Sequence, residues 1–495
     1  MDLDHDACYR AIASRDARFD GRIFTGVKTT GIYCRPVCPA RLPRSGNVRF
    51  FASAAAAEDA GFRACLRCRP ETSPDMGAWR GASNTVSRAL ALIETGALDE
   101  GDVAGLADRL GVGDRQLRRL FRQHLGASPV GVAQTRRVLL AKQLIHETAL
   151  PMADVAMAAG FGSVRRFNET FQTLYRRPPA ALRRRSAREP DADGVTLKLR
   201  FRPPYDWDAM IGFLRLRAIP KVELVTAEQY ARTIAIGQDM GTVVVRPAGG
   251  DQLAVQVRFP RMDALPGILS RVKRVFDLVA DPAVIGAHLS ADAGLATRIA
   301  ARPGLRVPGA WDGFELAIRA ILGQQITVPA AVRLAGKLAA QYGQSLPEAW
   351  AQPGLTLAFP TAERLAGLDL STLGMPGARA RALTAMAAAS VADPALFGTR
   401  QDLDSAIAAL KALPGIGEWT AQYIAMRQLR EPDAFPAADI GLMRALEDAA
   451  GQRPTPAQLL ARAEAWRPWR AYAALHLWTA DAASIQEKAD AKAAA

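Results

Sequence analysis

The spacing of apolar side chains changes along the chain and separates segments of different structure. Between residues 83 and 185 the apolar positions recur with the period of amphipathic helices. The pattern repeats at an offset of fifty residues, which pairs Leu117 with Phe167, Phe121 with Phe171 and Pro129 with Pro179. Repetition of one supersecondary unit predicts two similar helical subdomains in this segment.

After the repeat, the pattern changes to short strands with alternating apolar and polar positions, at 195–201 and 241–245. These strands predict a small α+β domain. Beyond residue 311 the sequence is rich in Ala and Leu and is interrupted by Gly and Pro, which predicts an all-helical segment.

The length of the chain, 495 residues, exceeds what one hydrophobic core supports, so we expect three or four domains. Polar segments rich in Pro or Gly predict linkers at 71–81 and 186–194. A further boundary is expected near 285–310.

Positive charge is concentrated in the first part of the chain. The formal net charge is +14, and residues 1–190 contain thirty Lys and Arg against nineteen Asp and Glu. This surplus favours a polyanion such as DNA, although charge alone does not distinguish DNA from RNA or an acidic membrane. Because the apolar runs are short and the first residues are acidic, we expect a cytoplasmic, nucleoid-associated protein with no membrane partner.

All five cysteines lie within the first 68 residues. Cys34 and Cys38 have the spacing C-x3-C, and Cys65 and Cys68 have the spacing C-x2-C. In a reducing compartment this pattern indicates a metal site, and four thiolates suit one tetrahedral Zn²⁺ ion. On spacing alone, a purely structural site that holds two loops together is the better interpretation. Cys8 lies outside the motif, and we expect it to be a small buried side chain.

The residues around the four cysteines point to a reactive site. Residues 29–38, TTGIYCRPVC, and 61–68, GFRACLRC, closely resemble the N-terminal domain of the bacterial Ada family, in a match over residues 5–75. The resemblance implies that Cys34 takes a methyl group from a DNA phosphotriester, with the other three cysteines as companion zinc ligands. Zinc would keep the Cys34 thiol deprotonated at neutral pH, and four thiolates around one dication leave the sulfur nucleophilic.

Methylation of Cys34 would replace a thiolate by a neutral thioether and remove one negative charge. The arginines nearby in the sequence are Arg35, Arg41, Arg63 and Arg67, so we expect DNA affinity to rise. The resemblance implies that this change activates the transcription of repair genes, with a promoter operator and RNA polymerase as partners.

Residues 83–185 resemble the AraC-type DNA-binding domain, which contains two helix-turn-helix units. The units are carried by 106–112, LADRLGV, and 155–161, VAMAAGF, each followed by a basic helix. The second helix of each unit is the candidate for the major groove. We expect bases or phosphates to be contacted by Arg115, Gln116, Arg118, Arg165 and Arg166. For any one of them, a solvated charged face is an equally good interpretation.

Residues 194–485 resemble the AlkA-type 3-methyladenine DNA glycosylases of the helix-hairpin-helix superfamily. The most specific segment is 413–423, LPGIGEWTAQY, where Gly415 and Gly417 let a hairpin bring backbone N–H groups against a DNA phosphate. The resemblance also implies a monovalent cation at the hairpin, held by the carbonyls of Lys411, Leu413 and Ile416.

The essential aspartate of that family aligns with Asp439 in residues 435–439, FPAAD. A carboxylate there would stabilise the positive charge that develops on the deoxyribose as the N-glycosidic bond breaks, and would orient or deprotonate the attacking water. Asp439 also precedes a helical stretch, so a simple helix N-cap explains its position without the family.

Three aromatic residues match pocket positions of the family: Trp419, Tyr423 and Trp478. A flipped, electron-poor alkylated base can stack on such side chains, although a tryptophan in a helical domain is by default a core residue. Lyases of the superfamily have a lysine where this chain has Trp419, so we expect a monofunctional glycosylase that leaves the DNA strands intact. Gln325 replaces a leucine wedge, and a glutamine can both fill the gap left by the flipped base and hydrogen-bond the orphaned partner.

These observations predict a multidomain α+β protein that repairs alkylated double-stranded DNA and regulates transcription. The four expected domains are a small zinc-bound α/β domain (1–76), an all-α double helix-turn-helix domain (83–185), a small α+β domain of TBP-like type (194–300) and an all-α helix-hairpin-helix glycosylase domain (301–485). Two alternatives stay open: a transcription activator with a degenerate glycosylase segment, and a glycosylase whose front half only adds DNA affinity.

Overall fold

The computed structural model describes residues 3–74, 84–183, 194–398, 402–448 and 450–480. The chain forms two compact units. The first unit contains Met1–Phe201 and Ile236–Ser270, and the second contains Arg202–Ala235 and Arg271–Ala495. Helices and sheets are both present, which confirms the predicted multidomain α+β class.

A four-stranded sheet with two helices begins the first unit. Its elements are α1 His5–Ala13, β1 Phe24–Val27, β2 Ile32–Cys34, β3 Val48–Phe51, α2 Ala54–Asp59 and β4 Arg63–Ala64. The strand order is β3-β1-β2-β4, and β2 and β4 are parallel. The side chains of Phe24, Tyr33 and Phe51 form its core with alanines of α2. Because β2 and β4 run side by side in the same direction, their ends bring Cys34 and Cys65 to one place.

Six helices follow, and they contain the predicted repeat. They are α3 Asn84–Glu94, α4 Val103–Arg109, α5 Asp114–Leu125, α6 Pro129–Glu147, α7 Met152–Ala158 and α8 Val164–Tyr175. Leu117 and Phe121 of α5 are fully buried, as are their counterparts in α8. The turn between α4 and α5 contains Gly111 with a φ of 67°, and the turn between α7 and α8 contains Gly160 with a φ of 85°. Residues other than glycine rarely adopt this left-handed conformation. The pairs α4–α5 and α7–α8 are therefore two helix-turn-helix units joined by the long helix α6.

Five strands come next in the chain: β5 Val195–Arg200, β6 Glu223–Val225, β7 Tyr230–Ile236, β8 Asp239–Pro247 and β9 Gln252–Arg258. In the first unit, β9 pairs antiparallel with β5 and with β8. In the second unit, β6 and β7 form an antiparallel hairpin. Alternate residues of β5 are buried, as the alternation in its sequence predicts.

The second unit is mainly helical. Its helices are α9 Trp207–Arg215, α10 Leu265–Val275, which begins in the first unit, α11 Pro282–Leu289, α12 Ala293–Ala301, α13 Gly313–Leu322, α14 Val328–Tyr342, α15 Ala362–Leu365, α16 Gly377–Ala392, α17 Leu403–Lys411, α18 Glu418–Ile424, α19 Ile440–Ala445, α20 Pro456–Ala463 and α21 at 470–480. A π-helical turn, Ala425–Leu429, continues α18. Two very short strands, β10 Gln344–Ser345 and β11 Leu357–Ala358, add a small antiparallel pair that the sequence pattern did not predict.

A partly buried glutamate connects the first sheet to α6. The carboxylate of Glu58 accepts a hydrogen bond from the Tyr33 hydroxyl at 3.0 Å and another from the Thr135 hydroxyl at 2.7 Å. Tyr33 precedes Cys34 on β2, and Thr135 lies on α6. The strand that carries Cys34 is therefore linked to the helix between the two helix-turn-helix units.

A buried ion pair makes a second link to α6. The Nζ atom of Lys142, whose side chain is fully buried, lies 2.8 Å from Oε2 of Glu71 and 3.4 Å from the carbonyl oxygen of Cys65. Burial alone would raise the pKa of Glu71, but the Lys142 ammonium and the Arg69 guanidinium hold that pKa below its usual value. Glu71 is thus a carboxylate that stabilises the fold at neutral pH and loses this contribution as the pH falls into the acidic range.

We expect Lys142→Met to destabilise the first unit by about 3 kcal/mol, because it leaves the Glu71 carboxylate buried without its main partner. Arg69, 3.1 Å from Glu71, keeps the loss at the lower end of the range for a broken buried pair. Thermal denaturation of the variant measures this loss. The double variant Lys142→Met, Glu71→Gln should recover part of it, whereas Lys28→Met, at an exposed position, should change stability by less than about 0.5 kcal/mol.

Candidate functional site

The four predicted metal ligands lie together at the end of the first sheet. Cys34 is the last residue of β2, Cys65 follows β4, and Cys38 and Cys68 lie in the loops after them. Their Sγ atoms all lie within 4.8 Å of one another. Tetrahedral Zn²⁺ with Zn–S bonds of about 2.3 Å needs sulfur atoms separated by about 3.8 Å, so the set fits this ion.

The four sulfurs differ in access and in hydrogen bonding. Cys65 and Cys68 are buried, and each accepts a backbone N–H, from Arg67 at 3.3 Å and from Arg35 at 3.4 Å. Cys34 and Cys38 are partly exposed. Since an N–H···S bond withdraws negative charge from a thiolate, the buried pair is the less nucleophilic one. Cys8 is buried away from this cluster, as predicted.

The arginines near the cysteines have different surroundings. Arg67 is exposed, whereas the Arg63 guanidinium lies 5.9 Å from the centre of the Tyr175 ring at the end of α8. The expectation that Arg35 is one of the arginines that attract DNA is wrong, because its guanidinium is buried in an ion pair with Asp20.

The candidate DNA-contacting residues of the helix-turn-helix units lie on the exposed sides of α5 and α8. Arg115, Gln116 and Arg166 are exposed. Arg118 pairs with Asp114 one turn earlier, and Arg165 pairs with Glu169 one turn later, each at 2.8 Å. Their positions are compatible with contacts to DNA and equally with solvated charged faces.

Asp439 has two structural roles at once. Its Oδ1 atom accepts the Leu442 N–H at 3.0 Å and so caps α19, as the simpler interpretation of the sequence predicts. The same carboxylate accepts the indole N–H of Trp419 at 2.7 Å and of Trp478 at 2.8 Å. Both tryptophans are only partly buried, so they are not core residues alone. Capping and a reactive position are therefore not alternatives for this carboxylate.

The third predicted aromatic residue extends the same group. The rings of Trp419 and Tyr423 are stacked, with centres 5.0 Å apart and an interplanar angle of 13°. The Tyr423 hydroxyl accepts a hydrogen bond from Nη1 of Arg427 at 2.6 Å. Burial would raise the pKa of Tyr423, but the guanidinium groups of Arg427 and Arg217 lower it below its usual value.

Three residues beside this group were not predicted from the sequence. The guanidinium of Arg217 lies 3.8 Å from the centre of the Phe213 ring, and that of Arg427 lies 4.8 Å from it. Phe213 and Arg217 are about two hundred residues away from Tyr423 in the chain, and their local sequence resembles any amphipathic helix. Only the position of Arg427 four residues after Tyr423 on a helix could have indicated its role.

The hairpin lies between α17 and α18. Gly415 has a φ of 79°, and a Cβ atom there would approach the Ala382 side chain to 2.6 Å, so both conformation and space require glycine. Gly417 is the N-cap of α18 and has no side chain to satisfy the first N–H groups of the helix. Of the three carbonyls expected at a cation, that of Leu413 accepts the Ile416 N–H at 3.2 Å.

Gln325 is exposed in the loop between α13 and α14. Its φ of 58° places a non-glycine residue in the left-handed region. The preceding side chain, Gln324, donates from Nε2 to the Gly415 carbonyl at 2.8 Å. The candidate wedge is thus joined to the hairpin.

The comparison that decides the family covers nearly the whole chain. The protein is 43% identical over 488 residues to a "probable bifunctional transcriptional activator/DNA repair enzyme AlkA" from Mycobacterium tuberculosis, a match that covers 97% of each chain. The chain belongs to this family of bifunctional activator and repair proteins. It is also 38% identical over 288 residues to the Escherichia coli DNA-3-methyladenine glycosylase 2, which covers 57% of this chain and 95% of that protein.

Models of four families match successive parts of the chain. They are the metal binding domain of Ada at 7–71, a helix-turn-helix domain at 106–185, the AlkA N-terminal domain at 196–312 and the HhH-GPD superfamily of base excision DNA repair proteins at 318–471. A solved structure of a 3-methyladenine DNA-glycosylase from Archaeoglobus fulgidus has the same fold over 57% of this chain and 97% of its own, with a TM-score of 0.51 and 20% identity.

Membership of this family establishes the main features of the predicted function. The protein is a DNA repair glycosylase and transcription regulator, with DNA as its partner and a zinc ion at the four cysteines. None of the helices in the described ranges combines the length and apolar character that a bilayer crossing requires.

Proposed function

We propose that Asp439 is the catalytic carboxylate of a glycosylase that removes alkylated purines of the 3-methyladenine type. The observation that carries this proposal is the pair of indole N–H groups, 2.7 and 2.8 Å from the carboxylate, which fix it without neutralising its charge. As the N-glycosidic bond breaks, positive charge spreads over the deoxyribose, and a fixed anion stabilises that state. Water then adds to the sugar carbon, and its proton passes to the carboxylate.

The aromatic side chains supply the base pocket in this proposal. An alkylated purine carries positive charge, so it leaves readily and is attracted to the faces of Trp419, Tyr423 and Trp478. The Tyr423 hydroxyl accepts a hydrogen bond from Arg427, the Arg217 guanidinium adds positive charge beside it, and the Tyr423 ring lies within 13° of parallel to that of Trp419. The stacked pair is therefore a preformed surface. When a base binds to it, no conformational entropy is lost in ordering these two side chains.

For the front half, we propose that Cys34 is a stoichiometric methyl acceptor. The Cys34 sulfur attacks the methyl carbon of a phosphotriester, the carbon–oxygen bond breaks, and its electron pair leaves with the phosphodiester anion. Zinc would keep the sulfur deprotonated for this attack. Cys34 is partly exposed, whereas Cys65 and Cys68 are buried and hydrogen-bonded to backbone N–H groups. The backbone N–H of Ala40 stabilises the negative charge of the Cys38 thiolate, which makes this sulfur less nucleophilic.

Methylation would then act as a switch for DNA binding. The modified site loses one negative charge, and Arg67, which directly precedes the ligand Cys68 in the chain, is exposed. We propose that the reading helices α5 and α8 bind a promoter operator through residues that include Arg115, Gln116, Arg118, Arg165 and Arg166, and that the bound protein recruits RNA polymerase.

The proposed domain boundaries are 1–76, 83–185, 194–300 and 301–485, the ranges derived from the sequence. The hairpin residues Gly415 and Gly417 are proposed to hold a DNA phosphate through backbone N–H groups. A monovalent cation at the carbonyls of Lys411, Leu413 and Ile416 would bring positive charge to the same phosphate.

The glycosylase proposal is tested by the products formed on duplex DNA that contains 3-methyladenine. We expect free base and abasic sites on unbroken strands, which alkali then cleaves, because Trp419 stands where a lyase needs an amine. Borohydride should trap no protein on the DNA. Strand breaks without alkali, or a trapped covalent complex, would contradict a monofunctional mechanism.

A further inference from the structure

The loop that carries Gln325 is held in place by contacts from the hairpin and from α16. Helix α13 ends at Leu322, and α14 begins at Val328 with Thr327 as its N-cap. Between them, Gln325 has the left-handed φ of 58°. Residues with a Cβ atom rarely adopt this backbone conformation, so contacts around Gln325 must stabilise it.

Those contacts come from the residue before Gln325. The Gln324 side chain donates from Nε2 to the Gly415 carbonyl at 2.8 Å and lies 3.3 Å from the Thr420 hydroxyl oxygen. The Gln324 carbonyl oxygen accepts a hydrogen bond from Nη2 of Arg379 at 2.6 Å. The peptide between Gln324 and Gln325 is therefore fixed from both sides, by the hairpin and by the first turn of α16.

We propose that Arg379 and Gln324 are positioning residues that hold Gln325 as a preformed wedge, whose amide binds the base left unpaired when the lesion flips out. The inference deepens the proposed glycosylase function and rests on it. An amide offers both a donor and an acceptor to the edge of an orphaned base, which a leucine cannot. A wedge already in its inserted conformation avoids ordering a flexible side chain at the moment of flipping.

The link to Gly415 has a second consequence for DNA. The hairpin is the proposed phosphate grip, and Gln324 ties it to the wedge through one hydrogen bond. Binding of the phosphate to the hairpin therefore sets the position of Gln325 relative to the stacked bases. Loss of Arg379 would free the Gln324 carbonyl and let the loop relax to an unstrained φ, which withdraws the wedge.

The experiment compares single-turnover excision of 3-methyladenine opposite thymine with excision opposite an abasic tetrahydrofuran residue. Arg379→Ala should slow excision opposite thymine by about 10- to 100-fold, the effect of one hydrogen bond to a charged group. Opposite the abasic residue there is no base for the Gln325 amide to bind, so the variant should stay within about threefold of the wild type. Equal losses on both substrates would overturn the proposal, because damage to the fold would affect both.

Three further variants separate positioning from other causes. Arg381→Ala removes an exposed arginine of the same helix and should leave the excision rate nearly unchanged. A slower rate in this variant as well would mean that Arg379→Ala acts by weakening the attraction of α16 to phosphates. Arg379→Lys, which keeps a donor, should recover part of the rate. In a Gln325→Gly background, Arg379→Ala should cause little further loss, because a positioning residue acts only through the residue that it positions. Full additivity of the two losses would overturn the inference, whereas a wild type inactive on both substrates would instead overturn the glycosylase proposal.

Discussion

Replacement of Asp439 by asparagine is expected to slow release of 3-methyladenine by on the order of 10³-fold, because the charge that stabilises the developing cation is lost. Asparagine is as good an N-cap as aspartate, so α19 should stay capped through the Leu442 N–H. The substitution therefore separates the two roles of the residue. Single-turnover kinetics with saturating enzyme measure the chemical step directly.

Asparagine cannot reproduce every contact of the carboxylate. Its amide oxygen can accept one of the two indole N–H groups, while its NH₂ group faces the other donor. Binding to DNA that contains an abasic site, together with thermal denaturation, checks that the pocket survives. Excision at nearly the wild-type rate would support the alternative in which Asp439 is only a helix cap. Loss of folding in Asp439→Asn would show that the indole contacts, rather than the charge, are what the position requires.

Replacement of Cys34 by serine is expected to abolish methyl transfer from methylphosphotriester DNA, because a hydroxyl is a far poorer nucleophile than a zinc-bound thiolate. In the wild type, one methyl group should appear on the peptide that contains Cys34, detectable by mass spectrometry. Zinc should stay bound after methylation, since three thiolates and a thioether remain as ligands. A methyl group on Cys38 instead would place the acceptor on the other partly exposed sulfur.

The same methylation is expected to tighten operator binding by about tenfold at low salt, because one negative charge leaves a surface that approaches phosphates. The gain should shrink as salt rises, since screening shortens the range of that repulsion. Arg67→Ala offers a matched comparison: it should weaken binding of both forms and leave their ratio nearly unchanged. Equal operator affinity of the methylated and unmethylated proteins would favour the alternative in which the front half only adds DNA affinity.

The features that the sequence predicted well are local ones. The helical pattern inside each repeat, the cysteine pairs and the glycine hairpin each depend on residues close together in the chain, whose spacing is set by one turn or one helix face. Asp439 shows the limit of this reasoning. Its cap is a contact over three residues, but the indole groups that fix its carboxylate come from 20 and 39 residues away.

Other features depend on the fold and leave no local signal. Arg35 follows a zinc ligand and resembles a surface residue, yet Asp20 buries it in an ion pair across the domain. The contacts that hold Gln324 come from Arg379 and Gly415, 55 and 91 residues away in the chain. A left-handed glutamine has no composition signature, because only the surrounding contacts force the conformation.

Helices α5 and α8, which are proposed to contact DNA, each carry an acidic residue paired with an arginine, and these acidic residues bear on how the protein finds its binding sites on DNA. Asp114 and Glu169 place a carboxylate beside Arg118 and Arg165. If α5 and α8 contact DNA as proposed, each carboxylate is repelled by the phosphates of DNA without an operator and competes with them for its arginine, which weakens non-specific binding. A chromosome offers a vast excess of such sites. Weaker capture by such sites would leave more of the protein free to reach the rare sequences and lesions that its two halves are proposed to recognise.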